Sequence, residues 1–186
     1  MYSQSMVMTS PGLSDKAGLA VNRAGKILAF TLFAAVGAQF AVRLPFTPVP
    51  VTMQTLFVVM AGVVLGPRDG FYAMLSYLAL GISGAPVFAG LTFGPAVLFG
   101  PTGGYLMAFP AAAFLAGYLP EIAGGNTAAR ALGIISGLAL ILLSGAAYLC
   151  LITGLSIADA LMLAVIPFII AEIAKFLAAV FIAGRI

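Results

Sequence analysis

The sequence predicts an all-α, polytopic membrane protein with six transmembrane helices, and three observations carry that prediction. Of the 186 residues, 63% are hydrophobic and only 7% charged, with a mean hydropathy of +1.19. Soluble domains carry about a quarter charged residues; no soluble core of this size hides so much apolar surface, so lipid must be the solvent. Apolar runs fall at 27–44, 51–66, 70–83, 104–119, 131–153 and 161–183, each bounded by Pro, Gly or charge. Positive charge is unevenly divided between their ends. With the N-terminus in the cytosol, Lys16, Arg23, Lys26, Arg68, Arg130 and Arg185 lie inside and only Arg43 outside. The positive-inside rule therefore puts both termini in the cytoplasm of a multi-pass plasma-membrane protein.

Residues 1–26 read as a polar cytosolic tail and 27–186 as one six-helix transmembrane domain. The run after the tail is as long as a full span, not a short signal-peptide core, so the first helix is expected to stay uncleaved. It carries Ala34 and Ala38, and the fifth run carries Gly133 and Gly137. Small residues four apart let helix backbones approach, whether inside the bundle or against an external partner.

The second run is entered through Pro48 and Pro50, which force an extended approach because the residue before each proline is pushed out of the helical region. Thr52, Gln54 and Thr55 then begin the helix with polar side chains. Gln54 inside a membrane needs a partner, either another helix or a ligand. The string GPRDG at 66–70 reads as a tight turn into the third run, with Arg68 and Asp69 as solvated turn residues. The outer segment 84–103 is long, uncharged and dense in Gly and Pro. It is expected to fold back onto the bundle as a lid, or to include a re-entrant piece.

The fourth run opens with GPTGGYL at 100–106. Glycines there leave backbone N–H groups open to a ligand at a helix N-terminus, and Tyr105 adds a flat apolar face with a hydroxyl at its rim. Asp159 reads as a helix-start residue of the sixth approach. In the sixth run, Glu172 and Lys175 stand three apart, so they share a helical face. Each charge costs about 2.5–3.5 kcal/mol at the centre of a membrane helix, the pair about 5–7 kcal/mol. A structural ion pair facing the bundle interior is the plain reading; a polar site that holds a polar ligand is the functional one, and intramembrane charge favours it.

Several function classes are excluded or unsupported. Histidine is absent and Cys150 is the only cysteine, which removes disulfides within the chain, Cys/His metal sites and histidine catalysis. An enzyme using Glu172 would lack a second carboxylate, a histidine or a metal cluster within the spans. No nucleotide-binding loop is present: the nearest string, 18–26, has the wrong glycine spacing and is followed by Ile27. No catalytic residue, metal or cofactor is expected, and the net charge of +3 bears on orientation, not on nucleic acid. A passive assembly subunit remains as a further reading.

The strings PVPVTMQTL (48–56), GAPVF (84–88) and GPTGGY (100–105), followed by the Glu172–Lys175 pair, resemble in kind and order the BioY family. These are biotin-binding S components of energy-coupling factor (ECF) transporters. The resemblance implies a six-helix membrane subunit that captures biotin from the outer side and delivers it inward. Its partners would be an ECF transmembrane coupling protein and cytosolic ATPases, which supply the missing nucleotide site. An S component for another vitamin or small heterocycle is the alternative. The resemblance further implies that Glu172, where the family usually has aspartate, and Lys175 reach the ureido head of biotin. It places Gly103, Gly104, Tyr105, Thr92, Phe88 and Gln54 around the ligand, and makes Ala34 and Ala38 a docking face for the coupling protein. A ureido group offers two N–H donors and one carbonyl acceptor; on this reading glutamate accepts from the former and lysine donates to the latter. Leu106 stands where some relatives carry arginine, and Arg43 is the candidate to meet the ligand's carboxylate.

Overall fold

In lipid a backbone must satisfy its own polar groups, which leaves the helix as the default. The structure, a computed structural model that describes residues 13–185, has seven α-helices among those residues. The first twelve residues of the expected cytosolic tail, and Ile186, lie outside the described residues. Helix α1 (Leu13–Gln39) begins within the stretch expected as tail and stops short of the expected 44. Pro45, Pro48 and Pro50 forbid its continuation. Instead Ala41–Val42 (β1) pairs antiparallel with Val51–Thr52 (β2), Ala41 opposite Thr52. The all-α expectation therefore gives way here to a short β-ribbon.

Four helical stretches are long and apolar enough to cross a membrane: Gly18–Gln39, Gly103–Ile122, Thr127–Thr153 and Ile157–Ala183. Helix α2 (Gln54–Leu65) is a shorter apolar helix, and α3 (Pro67–Ile82) follows it after a single residue. The turn is tighter than the expected 66–70. Gly66 alone makes it, at φ 84°, and Pro67, Arg68 and Asp69 form the first turn of α3, where proline and acid are favoured. Asp69 is not simply solvated: Arg23 Nε donates to both its carboxylate oxygens at 2.9 Å, tying α1 to this turn. Segment 84–103 contains a 3-10 helix, Pro95–Phe99. Helix α4 (Gly103–Ile122) then packs along α5 (Thr127–Thr153), which is capped by Asn126, whose side chain accepts from Ala129 N–H at 2.8 Å.

Small residues set the distances inside the bundle. A Cβ on Gly62 would stand 1.9 Å from the Ala113 carbonyl oxygen, and one on Gly117 would stand 2.4 Å from that of Gly62. Backbone therefore touches backbone where α2 crosses α4. Gly133 and Gly137 do the same for α5 against the carbonyls of Ala116 and Ala112. Ala34 and Ala38 are fully buried within the chain, so the expected docking face is turned inward. Their small size serves internal packing of α1, whose exposed side carries Leu28, Leu32 and Val36.

The largest departure is in the sixth run. The expected unbroken helix over 161–183 is two helices, α6 (Ile157–Ala164) and α7 (Ile169–Ala183), separated by a 3-10 turn, Ile166–Phe168. Pro167 has no N–H for the Leu163 carbonyl, and Phe168 N–H turns to Val165 instead of Ala164. Ser156 caps α6, accepting from Asp159 N–H at 3.2 Å and donating to the Asp159 carboxylate at 2.6 Å, which bears out the helix-start reading of Asp159.

Replacing Gly62 by Val should cost about 3 kcal/mol, at the upper end for overpacking, because the obstacle is backbone. Gly25→Ala, where nothing lies within 4 Å, should be neutral. Thermal unfolding of the detergent-solubilised variants checks the pair; equal melting temperatures would refute the close crossing.

Candidate functional site

The broken run decides where polar groups gather. The Leu163 and Ala164 carbonyls, left without helical partners, are taken by side chains from elsewhere. Thr47 Oγ1 donates to Leu163 O at 2.8 Å, and the Tyr105 hydroxyl donates to Ala164 O at 2.6 Å. On the other side of the break, Glu172 falls in the first turn of α7, where the positive end of the helix dipole favours a carboxylate.

Glu172 and Lys175 are both buried, at 7% and 5% exposure, and their charged ends meet at 2.6 Å. Thr55, from the first turn of α2, closes the group. Its hydroxyl lies 3.0 Å from each Glu172 oxygen, and Lys175 Nζ donates to Thr55 Oγ1 at 2.9 Å. This three-membered cluster joins α2 to α7.

A cavity of about 560 Å³ lies among the end of α1, the ribbon, the first turns of α2 and α4, segment 84–103 and the start of α7. Its polar lining includes Gln39, Arg43, Thr47, Thr52, Gln54, Thr55 and Glu172, and its apolar lining Phe88, Val97, Leu106, Phe109 and Phe168. Only Arg43 and Glu172 are charged among the residues that line it: the acid is buried and the arginine exposed. A volume of this size, mainly apolar with a few convergent polar groups, suits a small molecule.

Of the expected ligand neighbours, Glu172, Gln54, Tyr105, Thr92 and Phe88 line this cavity, as does Arg43. Lys175, Gly103 and Gly104 do not. Lys175 instead borders a second, apolar groove, with Phe40, Val42, Met53 and Leu56. Gly103 and Gly104 are packing glycines: a Cβ on the first would stand 1.8 Å from the Leu98 carbonyl oxygen, and on the second 2.3 Å from Tyr148 Cβ. Gln54 finds its partner in another helix, since its Nε2 donates to the Tyr77 hydroxyl oxygen at 2.6 Å and its Oε1 accepts from Thr52 at 3.1 Å.

Three contributors were not singled out from sequence. Gln39 Nε2 donates to Phe88 O at 3.1 Å and its Oε1 accepts from Leu91 N–H at 3.1 Å, so the end of α1 holds segment 84–103 as a strand partner would. Leu91 sits there at φ 59°, a conformation unfavourable for its side chain that this contact helps hold. Tyr77 donates to Val87 O at 3.2 Å, and Thr47 takes the freed carbonyl of α6. Gln39 was open to the same reasoning as Gln54, an amide in an apolar run; Tyr77 and Thr47 carry no such signal.

Comparison with known proteins agrees with this architecture. The sequence profile of the BioY family matches residues 8–186. A probable biotin transporter BioY of Pyrococcus horikoshii is 44% identical over 157 residues, covering 84% of this chain and 91% of that protein. The biotin transporter BioY of Thermotoga maritima is 37% identical over 165 residues, covering 84% and 90%. In three dimensions the chain is similar to the crystal structure of the S-component for biotin from an ECF-type ABC transporter, with a TM-score of 0.84 and 26% identity, covering 90% of this chain and 92% of that one.

Removing one member of a buried ion pair strands the other. Lys175→Met alone should therefore lower stability by about 3–5 kcal/mol, whereas Glu172→Leu with Lys175→Met should recover most of that loss. Thermal or denaturant unfolding of the single and double variants checks it; a double variant no more stable than the single would contradict a buried pair.

Proposed function

The chain belongs to the BioY family, and on that premise we propose that it captures biotin as the membrane subunit of an ECF-type transporter. Its function is biotin transport and it is not an enzyme. Uptake is energised by an ECF coupling protein and cytosolic ATPases. The observation that carries the reading at the level of residues is the cavity with a buried carboxylate at one wall and an exposed arginine at another. Biotin is complementary to that arrangement: a neutral ureido head with N–H donors, an apolar ring system and an anionic tail. Glu172 accepts from the head, Phe88 and Tyr105 flank the rings, and Arg43 meets the tail carboxylate by charge-assisted hydrogen bonds.

The chain crosses the plasma membrane six times, α2 and α3 being short crossings and α6–α7 one broken one. Both termini are cytoplasmic, in keeping with Arg23, Lys26, Arg68, Arg130 and Arg185 near one set of helix ends. Segment 84–103 is the lid of the cavity, supported by its contacts with Gln39 and Tyr77. Ligand enters when that segment lifts.

Calorimetry on the purified protein tests the assignment. Biotin should bind, and Glu172→Gln should weaken it at least ~10-fold by removing a charged acceptor. Arg43→Ala should weaken biotin by about 10-fold while leaving biotin methyl ester unchanged, because the ester has no carboxylate to meet. Equal losses for both ligands would remove Arg43 from the site, and failure of biotin to bind at all would move the chain to another small heterocycle.

A further inference from the structure

Segment 84–103 is apolar on both of its sides, and the bundle accounts for one of them. Phe88 is fully buried against Tyr77, Val97 lines the cavity, and the Leu98 carbonyl accepts from Tyr148 at 3.0 Å. Leu91, Phe93 and Phe99 are left at 63%, 59% and 76% exposure. In the 3-10 helix Pro95–Phe99, residues three apart share a side, and Ala96 and Phe99 are such an exposed pair. Leu91 is the stronger anomaly. Among the described residues it is the one non-glycine at positive φ, 59°, a conformation that glycine or asparagine adopts at less cost. A leucine held there bears strain, and most of its side chain gains nothing from this chain.

Two hydrogen bonds fix the level at which these residues stand. Gly94 N–H donates to the Gly81 carbonyl at 2.7 Å, in the last turn of α3. Tyr148, which holds Leu98, lies five residues before the end of α5 at Thr153, about 7.5 Å along the helix. Helix α5 has 27 residues, about 40 Å against about 30 Å of hydrocarbon, so its ends reach the headgroup layers. The exposed residues therefore stand where acyl chains meet headgroups, not above the membrane. The chemistry of the segment suits that layer better than it suits a protein. No charged residue lies between Gly84 and Gly103. Its two hydroxyls are used within the chain: Thr92 donates to Ala89 C=O at 3.1 Å, and Thr102 lines the cavity. Protein interfaces carry about one hydrogen bond per 100–200 Å², and this surface presents almost no side-chain group for them. Exposed apolar surface of this kind marks contact with a membrane.

On the reading that this segment covers the ligand cavity, we infer that it is fastened to the outer leaflet as well as to the bundle. Leu91, Phe93 and Phe99 seat it in the interfacial layer of the bilayer, whose lipids are the partner of this surface. A strained leucine and two exposed phenylalanines are then explained together: each gains outside the chain what it lacks inside it. Lifting the segment moves apolar side chains from lipid into water, so the bilayer resists opening.

The chain has no tryptophan, so Phe99→Trp and Phe93→Trp each introduce a single reporter at an exposed aromatic position. Each variant of the full chain is placed in phosphatidylcholine nanodiscs whose lipids are brominated near the top or near the end of the acyl chain. Bromine near the headgroup should remove most of the tryptophan emission, bromine near the chain end less, and acrylamide in the water little. Quenching by acrylamide without quenching by brominated lipid would put the segment in water and overturn the inference. Protection from both quenchers would overturn it too, in favour of a covering protein such as a second copy of this chain. Biotin release then separates this inference from the reading on which it rests. Phe93→Ser with Phe99→Ser should release biotin roughly 10-fold faster from nanodiscs, as the loss of two part-buried phenylalanines implies. An unchanged rate beside full quenching by lipid would uphold the anchor and defeat the segment's role as the lid.

Discussion

A helix that stops inside a membrane must hand its last carbonyls to some other donor, and that constraint organises this molecule. Pro167 removes one N–H from the middle of an apolar run and diverts the next. Two carbonyls are freed, and the side chains that take them come from the α1–α2 connection and from α4. Each unsatisfied group in lipid would cost several kcal/mol, so these two contacts fix where Thr47 and Tyr105 stand. Both residues line the cavity. The break thus builds two of its walls, and by starting a new helix at Ile169 it puts Glu172 in a first turn, where the dipole favours the carboxylate. A continuous helix would have supplied neither.

The far side of the cavity is held by polar contacts of a second kind. Segment 84–103 has almost no regular structure of its own, and its backbone groups must still be met. Gln39 and Tyr77 meet them at Phe88, Leu91 and Val87. The apolar part of the seat is Phe88, fully buried edge-on against Tyr77 and over Gly81, where any Cβ would strike its ring. On the other side Tyr148 donates to Leu98 O at 3.0 Å, so four side-chain hydrogen bonds and one aromatic anchor hold the segment. Its polar anchors are side chains of α1, α3 and α5, so the segment's place depends on the bundle and not on regular structure of its own.

Much of this was legible in the sequence because lipid makes composition speak clearly. The helical class, most Pro-Gly boundaries and the inward-facing pairing of Glu172 with Lys175 follow from transfer energies. The break at Pro167 was missed because a proline inside an apolar run changes hydrogen bonding without changing hydropathy. The resemblance assigns Ala34 and Ala38 to a partner and the glycines at 103 and 104 to the ligand, but a small residue only permits close approach and does not name what approaches. In the fold they meet this chain's own helices. Lys175 was expected at the ligand because residues three apart share a helical face. The faces they share are offset by a sixth of a turn, enough here for the acid to reach the cavity and the base to reach the groove beside it.

That offset has an electrostatic consequence. A lone carboxylate on the wall of an apolar cavity would carry the full cost of burying an unpaired charge. An ammonium in contact from behind cancels the charge seen at a distance while leaving the cavity-facing oxygens negative at short range. A neutral donor group at that wall would find a strong acceptor without an unpaired charge being buried there. Pairing with Lys175 is therefore what lets a carboxylate stand on the wall of a mainly apolar cavity.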